Sequence, residues 1–353
     1  MKNLIIIQTV TPDYRFGVFK VIKNTLGNNF SLYAGEKYFE PTVKSSKLIN
    51  KKDIKNIFLF KRKLLFQLGI WHLILSNSVI VLEFNPRIIS NWVFLVLRKI
   101  LIKETVLWGH AWSRSGKTSK TFFLRSFMGK LSSKIIVYTN KQKLELQEII
   151  KFDKVLSAPN SLYNKRDMVT NSKVNNINNI IYVGRLVKSK KPMLLIKAFH
   201  NVLDQLPKKT NLIIVGDGDQ FSIIKDYVLK NKIEHRVILK GHIFNFEKLK
   251  NLYFSSLFSV SPGYIGLSVT QSFSFGVPML VSEKENHSPE IEAVNEKINA
   301  LYFKTNDLNN LSFSLQKFFD NKNFWINQRN IIVENCKNQY SNEIMAQTFI
   351  DLV

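Results

Sequence analysis

Apolar strands that alternate with helical segments constrain the fold of this chain more than any other feature. Val79–Phe84 and Thr105–His110 are almost continuously apolar, and a helical segment, Ile88–Lys103, lies between them. Strands that are apolar on both faces belong to sheets covered by helices on each side, and helical connections make neighbouring strands parallel. The sequence therefore predicts an α/β fold with doubly wound parallel sheets. The first half also contains predicted strands Leu4–Gln8, Asn29–Ala34, Ile54–Phe60 and Lys134–Thr139 and predicted helices Asp13–Leu26, Thr118–Leu131 and Lys141–Ile149.

A segment rich in asparagine, residues 161–179, separates two halves that both show this alternation. Because 353 residues are more than one hydrophobic core usually organises, we expect two domains. The predicted division is an N-terminal domain at 1–160, a linker at 161–179, a C-terminal domain at 180–325 and closing helices at 326–353. Predicted strands of the second domain are Ile180–Val183, Asn211–Val215, Val237–Gly241, Leu257–Val260, Pro278–Val281 and Ala300–Phe303, and its predicted helices are Met193–Leu206, Phe246–Ser255 and Leu267–Phe275.

The net charge of +25 is unevenly distributed along the chain. Residues 1–160 hold 27 basic and 9 acidic side chains, an excess of +18, and residues 161–353 carry the remaining +7. A strongly basic domain favours an acidic partner, either nucleic acid or an anionic membrane, and a solvated lysine-rich surface is the alternative. Because the sequence contains no helix-turn-helix, zinc or RNA-binding signature, we expect an anionic membrane surface and no nucleic acid.

Cysteine content and hydropathy limit the compartment. The single cysteine, Cys336, excludes a framework of intrachain disulfides and a cysteine-based zinc site, which suits a reducing cytoplasm. The most apolar region, residues 64–84, is interrupted by polar residues, so it does not reach the ~18 apolar residues of a spanning helix. We therefore expect a cytoplasmic protein, held peripherally at the inner face of the cytoplasmic membrane.

Polar residues follow several predicted strands of the first domain. In parallel sheets ligands bind beyond the carboxyl ends of the strands. His110 ends such a strand beside Trp112, and a neutral imidazole can hydrogen-bond a ligand hydroxyl, although a structural hydrogen bond is the alternative. Arginine suits phosphate because its guanidinium binds in a bidentate way. The further ligand-binding candidates of this domain are Tyr14, Arg15, Asn85, Arg87 and Arg114.

The segment Ser261–Ser282 combines a glycine-bearing loop with the start of a helix. The loop Gly263–Gly266 leads into the predicted helix Leu267–Phe275, which Gly276 and Pro278 end. Backbone N–H groups at such a junction lie at the positive end of the helix dipole, which favours an anion such as phosphate. An ordinary strand–helix–strand connection is the alternative.

The same segment resembles the sugar-nucleotide signature of the GT-B-fold retaining glycosyltransferases of family 4, the glycosyl transferases group 1. In that family a proline-led loop carries Glu-Gly-Phe-Gly-Leu, and a second Glu precedes Ala-x-x-x-Gly-x-Pro-Val. Both family glutamates are missing, because Gly263 stands at the first and Gln271 at the second. The positions that match are Pro262, Gly266, Leu267, Gly276 and Pro278.

A second match to the family is the loop 184–190, which begins Gly-Arg-Leu. The resemblance implies that Arg185 and Lys190 hold the donor diphosphate, where fixed positive charge stabilises the leaving group without a nucleophile. Two solvent-facing lysines after a tight turn are the alternative. The resemblance also implies that Gln271 binds the donor ribose in place of the second glutamate. Further implied donor-binding residues are Gly184, Gly216, Gly218, Ile243, Gly266, Leu267 and Ser268.

The resemblance implies a GT-B fold, with two Rossmann-like domains facing across a cleft and the last helix packed on the first domain. The C-terminal domain would bind a nucleotide-diphosphate sugar, and the N-terminal domain a saccharide or lipid-linked saccharide acceptor. The expected reaction is glycosyl transfer with retention in bacterial surface polysaccharide synthesis, carried by His110, Arg185 and Lys190 without a metal or other cofactor. Two alternatives remain, a GT-B-fold sugar-nucleotide epimerase and a catalytically inactive sugar-nucleotide- or polyanion-binding module.

Overall fold

The computed structural model describes residues 2–40, 43–112, 116, 122–150, 154–171 and 177–353. It consists of two compact units, one formed by Met1–Leu162 with Tyr340–Val353 and the other by Tyr163–Gln339. Each unit is built on a sheet of parallel strands. The α/β class and the parallel sheets predicted from the sequence are therefore confirmed.

The N-terminal unit has one large sheet and one small hairpin. In chain order its strands are β1 (Leu4–Gln8), β2 (Phe30–Ala34), β3 (Lys52–Asp53), β4 (Lys55–Leu59), β5 (Leu64–Leu68), β6 (Val79–Glu83), β7 (Thr105–Trp108), β8 (Lys134–Val137) and β9 (Val155–Ser157). Seven of them pair in the order β3-β2-β1-β6-β7-β8-β9. The central strands β1 and β7 are buried along their whole length, because their Ile, Val and Leu side chains meet apolar groups on both faces.

The strand predicted at Ile54–Phe60 belongs to the hairpin, which the sequence reasoning missed. β4 pairs antiparallel with β5, outside the large sheet. The turn between them contains Phe60, Lys61 and Arg62, which adopt φ of 50°, 52° and 64°. Glycine usually marks a turn with left-handed backbone, but here all three positions are occupied by other residues. The turn therefore could not be recognised from its sequence.

In the described part of this unit, four α-helices connect the strands, namely α1 (Phe16–Leu26), α2 (Ile89–Ile100), α3 (Phe122–Leu131) and α4 (Asn140–Ile150). α2 ends three residues before the predicted Lys103, because Ile102 adopts a left-handed φ of 54°. The predicted start of the third helix at Thr118 lies outside the described residues. Within the described ranges, no helix combines the length and the apolarity that a bilayer crossing needs.

The second unit has a six-stranded parallel sheet in the order β12-β11-β10-β13-β14-β15. Its strands are β10 (Asn179–Val183), β11 (Leu212–Val215), β12 (Val237–Leu239), β13 (Ser256–Ser261), β14 (Met279–Ser282) and β15 (Ala300–Phe303). Its helices are α5 (Pro192–Asn201), α6 (Phe221–Lys230), α7 (Phe246–Phe254), α8 (Ser268–Ser274), α9 (Leu308–Asp320) and α10 (Lys322–Tyr340). Of these, α6 and α9 were not predicted.

The last helix, α11 (Asn342–Ile350), belongs to the N-terminal unit. The ring centres of Phe349 and Trp108 are 4.6 Å apart, so the helix covers one face of the large sheet. A Cβ on Gly17 of α1 would lie 2.0 Å from Asn342 Nδ2. The glycine therefore allows α1 and α11 to approach closely.

Candidate functional site

Three loops lie side by side at the carboxyl ends of β10, β11 and β12. The Leu186 N–H donates to the Asp217 carbonyl at 2.8 Å, and the Gly216 N–H donates to the Gly241 carbonyl at 2.8 Å. A Cβ on Gly216 would lie 1.9 Å from the Gly184 carbonyl oxygen, and Gly216 itself adopts φ +146°. Only glycine tolerates both conditions. Gly184 and Gly216, two of the predicted donor-binding glycines, therefore pack directly against each other.

Tyr264 joins the two basic residues predicted to hold a diphosphate. Its hydroxyl accepts a hydrogen bond from the Arg185 guanidinium at 3.0 Å, and its backbone carbonyl accepts one from Lys190 Nζ at 2.7 Å. Lys190 Nζ also lies 3.6 Å from the centre of the Tyr264 ring, a cation–π contact. Tyr264 is a site residue that the sequence reasoning missed, and an aromatic residue between two loop glycines was its only signal.

The ammonium of Lys190 is held in a partly dehydrated setting. Burial, together with the nearby charge of Arg185, lowers the pKa of Lys190 to about 8, and Glu290 acts in the opposite direction. Two cations that share one loop repel each other, and a bound anion would relieve this repulsion and restore the charged form. The arrangement is therefore suited to an anionic ligand.

Lys191, the residue after this lysine, has a backbone conformation that favours glycine. It adopts a left-handed φ of 53°, directly before α5 begins at Pro192. Its ammonium forms an ion pair with Glu285 and donates to Asn306 Oδ1 at 2.6 Å. These contacts hold a side chain at a position whose backbone favours glycine.

Gly263 leaves no room for a side chain. A Cβ there would lie 2.4 Å from the Ser189 carbonyl oxygen and 2.7 Å from the Lys190 carbonyl carbon. At Gly266 the nearest atom to a Cβ would be Lys190 Nζ at 3.7 Å, an ordinary contact. The glycine that replaces the first family glutamate is therefore required by close packing against the backbone that carries Lys190.

His287, which the sequence reasoning also missed, fixes the loop that carries Tyr264. Its Nδ1 accepts a hydrogen bond from the Ile265 N–H at 3.0 Å, and its Nε2 lies 2.9 Å from the Ser282 carbonyl oxygen. A carbonyl only accepts, so Nε2 carries the proton and the ring is neutral. Burial lowers the pKa of His287, with Lys190 acting in the same direction against the Ser282 carbonyl and a nearby glutamate.

The amide of Gln271 is engaged at both ends. Its Nε2 donates to the Tyr163 hydroxyl at 2.9 Å, and its Oε1 accepts from the Tyr253 hydroxyl at 3.2 Å. Burial raises the pKa of Tyr163 to about 12, so its hydroxyl stays protonated. An amide oxygen has a second lone pair, so the ribose contact stays a prediction that requires Oε1 to accept a second hydrogen bond.

The remaining predicted donor-binding residues are in the same unit. Leu267 lies at the N-cap of α8 and Ser268 is its first residue, so the helix is one residue shorter at each end than predicted. Ile243 follows β12 and, like Phe246, packs against an apolar cluster that includes Phe275. The neighbouring Phe244 is 89% exposed and was not singled out from the sequence.

In the N-terminal unit, Arg15 is buried beneath aromatic rings. Its guanidinium carbon lies 4.2 Å from the ring centre of Trp108, 5.2 Å from that of Tyr14 and 5.4 Å from that of Tyr138. One of its nitrogens donates to the Tyr138 hydroxyl at 3.0 Å, whereas buried Nη1 has no hydrogen-bond partner among the described residues. The predicted ligand contact of Arg15 stays a prediction.

His110 follows β7 and is exposed. The centre of its ring is 4.6 Å from that of Tyr138 in an edge-to-face arrangement. Its carbonyl accepts a hydrogen bond from Arg125 at 2.9 Å, and Arg125 also donates to the Phe84 carbonyl at 2.7 Å. Arg125 therefore ties together the ends of β6 and β7, and His110 and Arg15 both border Tyr138.

Glu83 ends β6 and is an acidic group that the sequence reasoning did not single out. Its carboxylate accepts hydrogen bonds from the Thr9 N–H and, at 2.9 Å, from Thr9 Oγ1. Burial raises the pKa of Glu83, while the Thr9 bonds and the charge of Arg15 oppose that rise. A lone acidic residue at the end of an apolar strand was the signal for it.

The other candidates of this unit have structural contacts or cannot be described. Arg87 donates to the Lys63 carbonyl at 2.7 Å, and its guanidinium carbon lies 3.9 Å from the centre of the Phe39 ring. Asn85 Oδ1 accepts from the Arg87 N–H at 3.2 Å. The Arg87 contacts hold the β4–β5 turn, and Arg114 lies outside the described residues.

The loop after β11 carries two acidic residues that could bind a cation, Asp217 and Asp219. Asp217 Oδ1 accepts a hydrogen bond from the Gly218 N–H at 2.7 Å. Across the part of the chain that the structure describes, no group of three or more His, Cys, Asp or Glu side chains is placed to hold a metal ion.

The chain matches one family profile, and many solved structures have a similar fold. Residues 164–339 match the sequence profile of the family described as glycosyl transferases group 1. No curated protein sequence matches the chain.

The similar solved structures cover almost the whole chain at low identity. HepE from Anabaena in complex with UDP has a TM-score of 0.72 and 12% identity, and the match covers 100% of this chain and 99% of HepE. The lipopolysaccharide outer core galactosyltransferase WaaB has a TM-score of 0.67 and 15% identity, and the match covers 99% of this chain and 98% of WaaB. Sucrose-phosphate synthase from Thermosynechococcus elongatus has a TM-score of 0.67 and 15% identity, and the match covers 100% of this chain and 98% of the synthase. The likeness concerns the fold.

Proposed function

We propose that the chain is a glycosyltransferase of the group 1 family, because residues 164–339 match that family's profile and the similar solved structures share its fold. The donor is a nucleotide-diphosphate sugar, and UDP-glucose is the first to test because HepE was solved with UDP and with UDP-glucose. The proposed donor domain spans residues 180–325, and residues 1–160 bind the acceptor.

The observation that supports this assignment best is the convergence of Arg185 and Lys190 on Tyr264. In sugar transfer the bond from the sugar to the diphosphate breaks, and negative charge develops on the departing phosphate oxygen. Two fixed cations beside a packed backbone loop stabilise that charge without needing a nucleophile. Because these side chains carry the compensating charge, we propose that turnover needs no divalent cation, and activity in the presence of a chelator tests this point.

The acceptor and the outcome of the reaction are also proposals. We propose transfer with retention to a saccharide or lipid-linked saccharide during bacterial surface polysaccharide synthesis. WaaB, one of the similar solved structures, is a lipopolysaccharide outer core galactosyltransferase, which is compatible with such an acceptor. His110 would contact the donor sugar, and the basic N-terminal domain would hold the enzyme at the inner face of the cytoplasmic membrane. The anomeric configuration of the first product, measured by NMR, tests retention.

The donor assignment is tested by removing one charge at a time from the loop 184–190. Arg185→Ala and Lys190→Ala should each slow transfer about 100-fold, as expected for losing one charge-stabilising group. Lys188→Ala is the matched control, because Lys188 is an exposed cation of the same loop. Equal turnover in all three variants would show that the donor does not bind at this loop. UDP binding by the parent without any turnover would instead indicate a binding module.

A further inference from the structure

Helix α2 of the N-terminal unit is apolar on its outer face as well as on its inner one. Phe94 and Leu95 are fully buried on the inner side. Trp92, Val96 and Ile100 follow one another at four-residue spacing, so they form one stripe along the helix. Val96 is 43% exposed and Ile100 is 70% exposed. Surface helices of soluble proteins normally carry polar groups on this side.

The neighbouring helix α3 extends the apolar stripe. Phe123 and Phe127 are one turn apart and are 75% and 49% exposed. The rings of Phe127 and Trp92 are stacked, with their centres 6.1 Å apart. The two helices therefore share one apolar surface, which we call the outer patch and define as Trp92, Val96, Ile100, Phe123 and Phe127.

The turn after α2 places a further apolar side chain in solvent at a cost in stability. The Lys103 N–H donates to the Arg98 carbonyl at 2.9 Å and the Ile102 N–H donates to the Lys99 carbonyl at 3.2 Å, which is the Schellman pattern of helix termination. Glycine is the usual residue at the left-handed position of this motif. Here Ile102 occupies it with φ 54° and is 93% exposed. Folding alone does not account for a β-branched side chain at this position.

The sequence of these elements is nearly free of acidic residues. Between residues 89 and 131 the chain has eight basic side chains and one acidic side chain, Glu104. Glu104 forms an ion pair with Lys2 at 2.8 Å. Lys99 on α2 and Lys130 on α3 are exposed on the same helices as the outer patch. An apolar surface with basic side chains on its helices combines the two features that bind anionic bilayers.

We propose that the outer patch and Ile102 dock on an anionic lipid bilayer. The exposed apolar side chains enter the boundary of the headgroup region, and Lys99 and Lys130 contact the lipid phosphates. The choice of a bilayer as occupant rests partly on the proposed function, in which the acceptor can be lipid-linked. Pairing of two copies is disfavoured, because a symmetric dimer through this patch would bring the same basic residues of both chains together.

Flotation of the full-length protein tests the proposal, with vesicles of phosphatidylcholine alone and vesicles that also contain phosphatidylglycerol. The double variant Phe123→Ser/Phe127→Ser should lose about 10-fold or more in binding to the anionic vesicles. Its control is Phe313→Ser, because Phe313 lies on α9 of the other unit and is 62% exposed. Lys99→Glu/Lys130→Glu should lose a comparable factor, whereas the exposed pair on α6, Lys225→Glu/Lys230→Glu, should change binding little.

The variant Ile102→Gly separates docking from folding. It should raise Tm, because glycine removes the left-handed strain, and it should lower binding to the anionic vesicles. A merely structural role would lower Tm or leave binding unchanged, and either result overturns the role of Ile102.

Three results would overturn the docking surface as a whole. The serine variants could float as well as the parent, or both lysine pairs could lose binding equally. Alternatively, the parent could sediment as a dimer that Phe123→Ser/Phe127→Ser converts to a monomer, which would make the patch a self-interface. Turnover of UDP-glucose measured without vesicles reports on the proposed function separately. Normal flotation without turnover would refute only the proposed transfer from UDP-glucose, and turnover without flotation would refute the proposed membrane attachment together with its docking surface.

Discussion

The replacement Gly263→Ala should destabilise the donor loop although it adds a single methyl group. The new Cβ would lie 2.4 Å from the Ser189 carbonyl oxygen and 2.7 Å and 2.8 Å from the carbonyl carbon and Cα of Lys190. Favourable contacts between such atoms are about 3.5 Å or longer, so one of the two backbone segments must move by about 1 Å. Overpacking of this kind costs about 1–3 kcal/mol, and the movement also displaces Lys190 from Tyr264.

Gly266→Ala is the matched control for this prediction. Neither glycine has a left-handed φ, so alanine suits the backbone at both positions. At Gly266 the nearest atom would be Lys190 Nζ at 3.7 Å, an ordinary van der Waals contact. Replacing glycine where the backbone permits alanine usually stabilises by about 0.4–1 kcal/mol through the unfolded chain. Gly263→Ala should therefore lower the free energy of unfolding, whereas Gly266→Ala should raise it.

Thermal unfolding with and without UDP measures both effects. For a unit of this size, 1 kcal/mol corresponds to about 2–4 °C in Tm, so Gly263→Ala should unfold at least a few degrees below Gly266→Ala. A displacement of 1 Å at a binding loop can cost as much as about 100-fold in activity. We therefore expect UDP to stabilise Gly263→Ala much less than the parent. Equal Tm values for the two variants would refute the steric argument.

Three further predictions concern protonation and the engaged amide. UDP affinity should fall as pH rises above about 8, because Lys190 loses its charge there, and Lys190→Arg should abolish this dependence, as measured by titration calorimetry. The contribution of His287 to stability should be complete above about pH 6.5 and be lost as pH falls, since its pKa is lowered in the folded state and protonation removes the acceptor of the Ile265 N–H. His287→Phe should then lose less Tm than the parent between neutral and mildly acidic pH. Gln271→Leu should cost about 1–3 kcal/mol by leaving two tyrosine hydroxyls unpaired, whereas Gln271→Glu should cost less, as chemical denaturation will show.

Patterns within single elements were predictable from the sequence. The buried strands β6 and β7 are predicted because their side chains are apolar on both faces, and β1 because of its β-branched residues. Gly276 is predicted as the end of α8, where it has a left-handed φ of 69°. The β4–β5 hairpin was missed because its turn has no glycine. Contacts between distant segments could not be predicted either. Nothing in the sequence indicates that His287 accepts the Ile265 N–H.

The two missing family glutamates show why the donor loop needed a structure. In the sequence, Gly263 and Gln271 are equivalent departures, each replacing one carboxylate. In the structure they differ, because Gly263 faces backbone at 2.4 Å and cannot hold any side chain. Gln271 lies between Tyr163 and Tyr253, whose hydroxyls can both donate to a carboxylate. The first glutamate has therefore been lost together with the space for it, whereas the surroundings of the second would still accept one. Lys190 supplies positive charge beside the loop Gly263–Gly266. The close packing of Gly263 against the Lys190 backbone fixes the position of this residue.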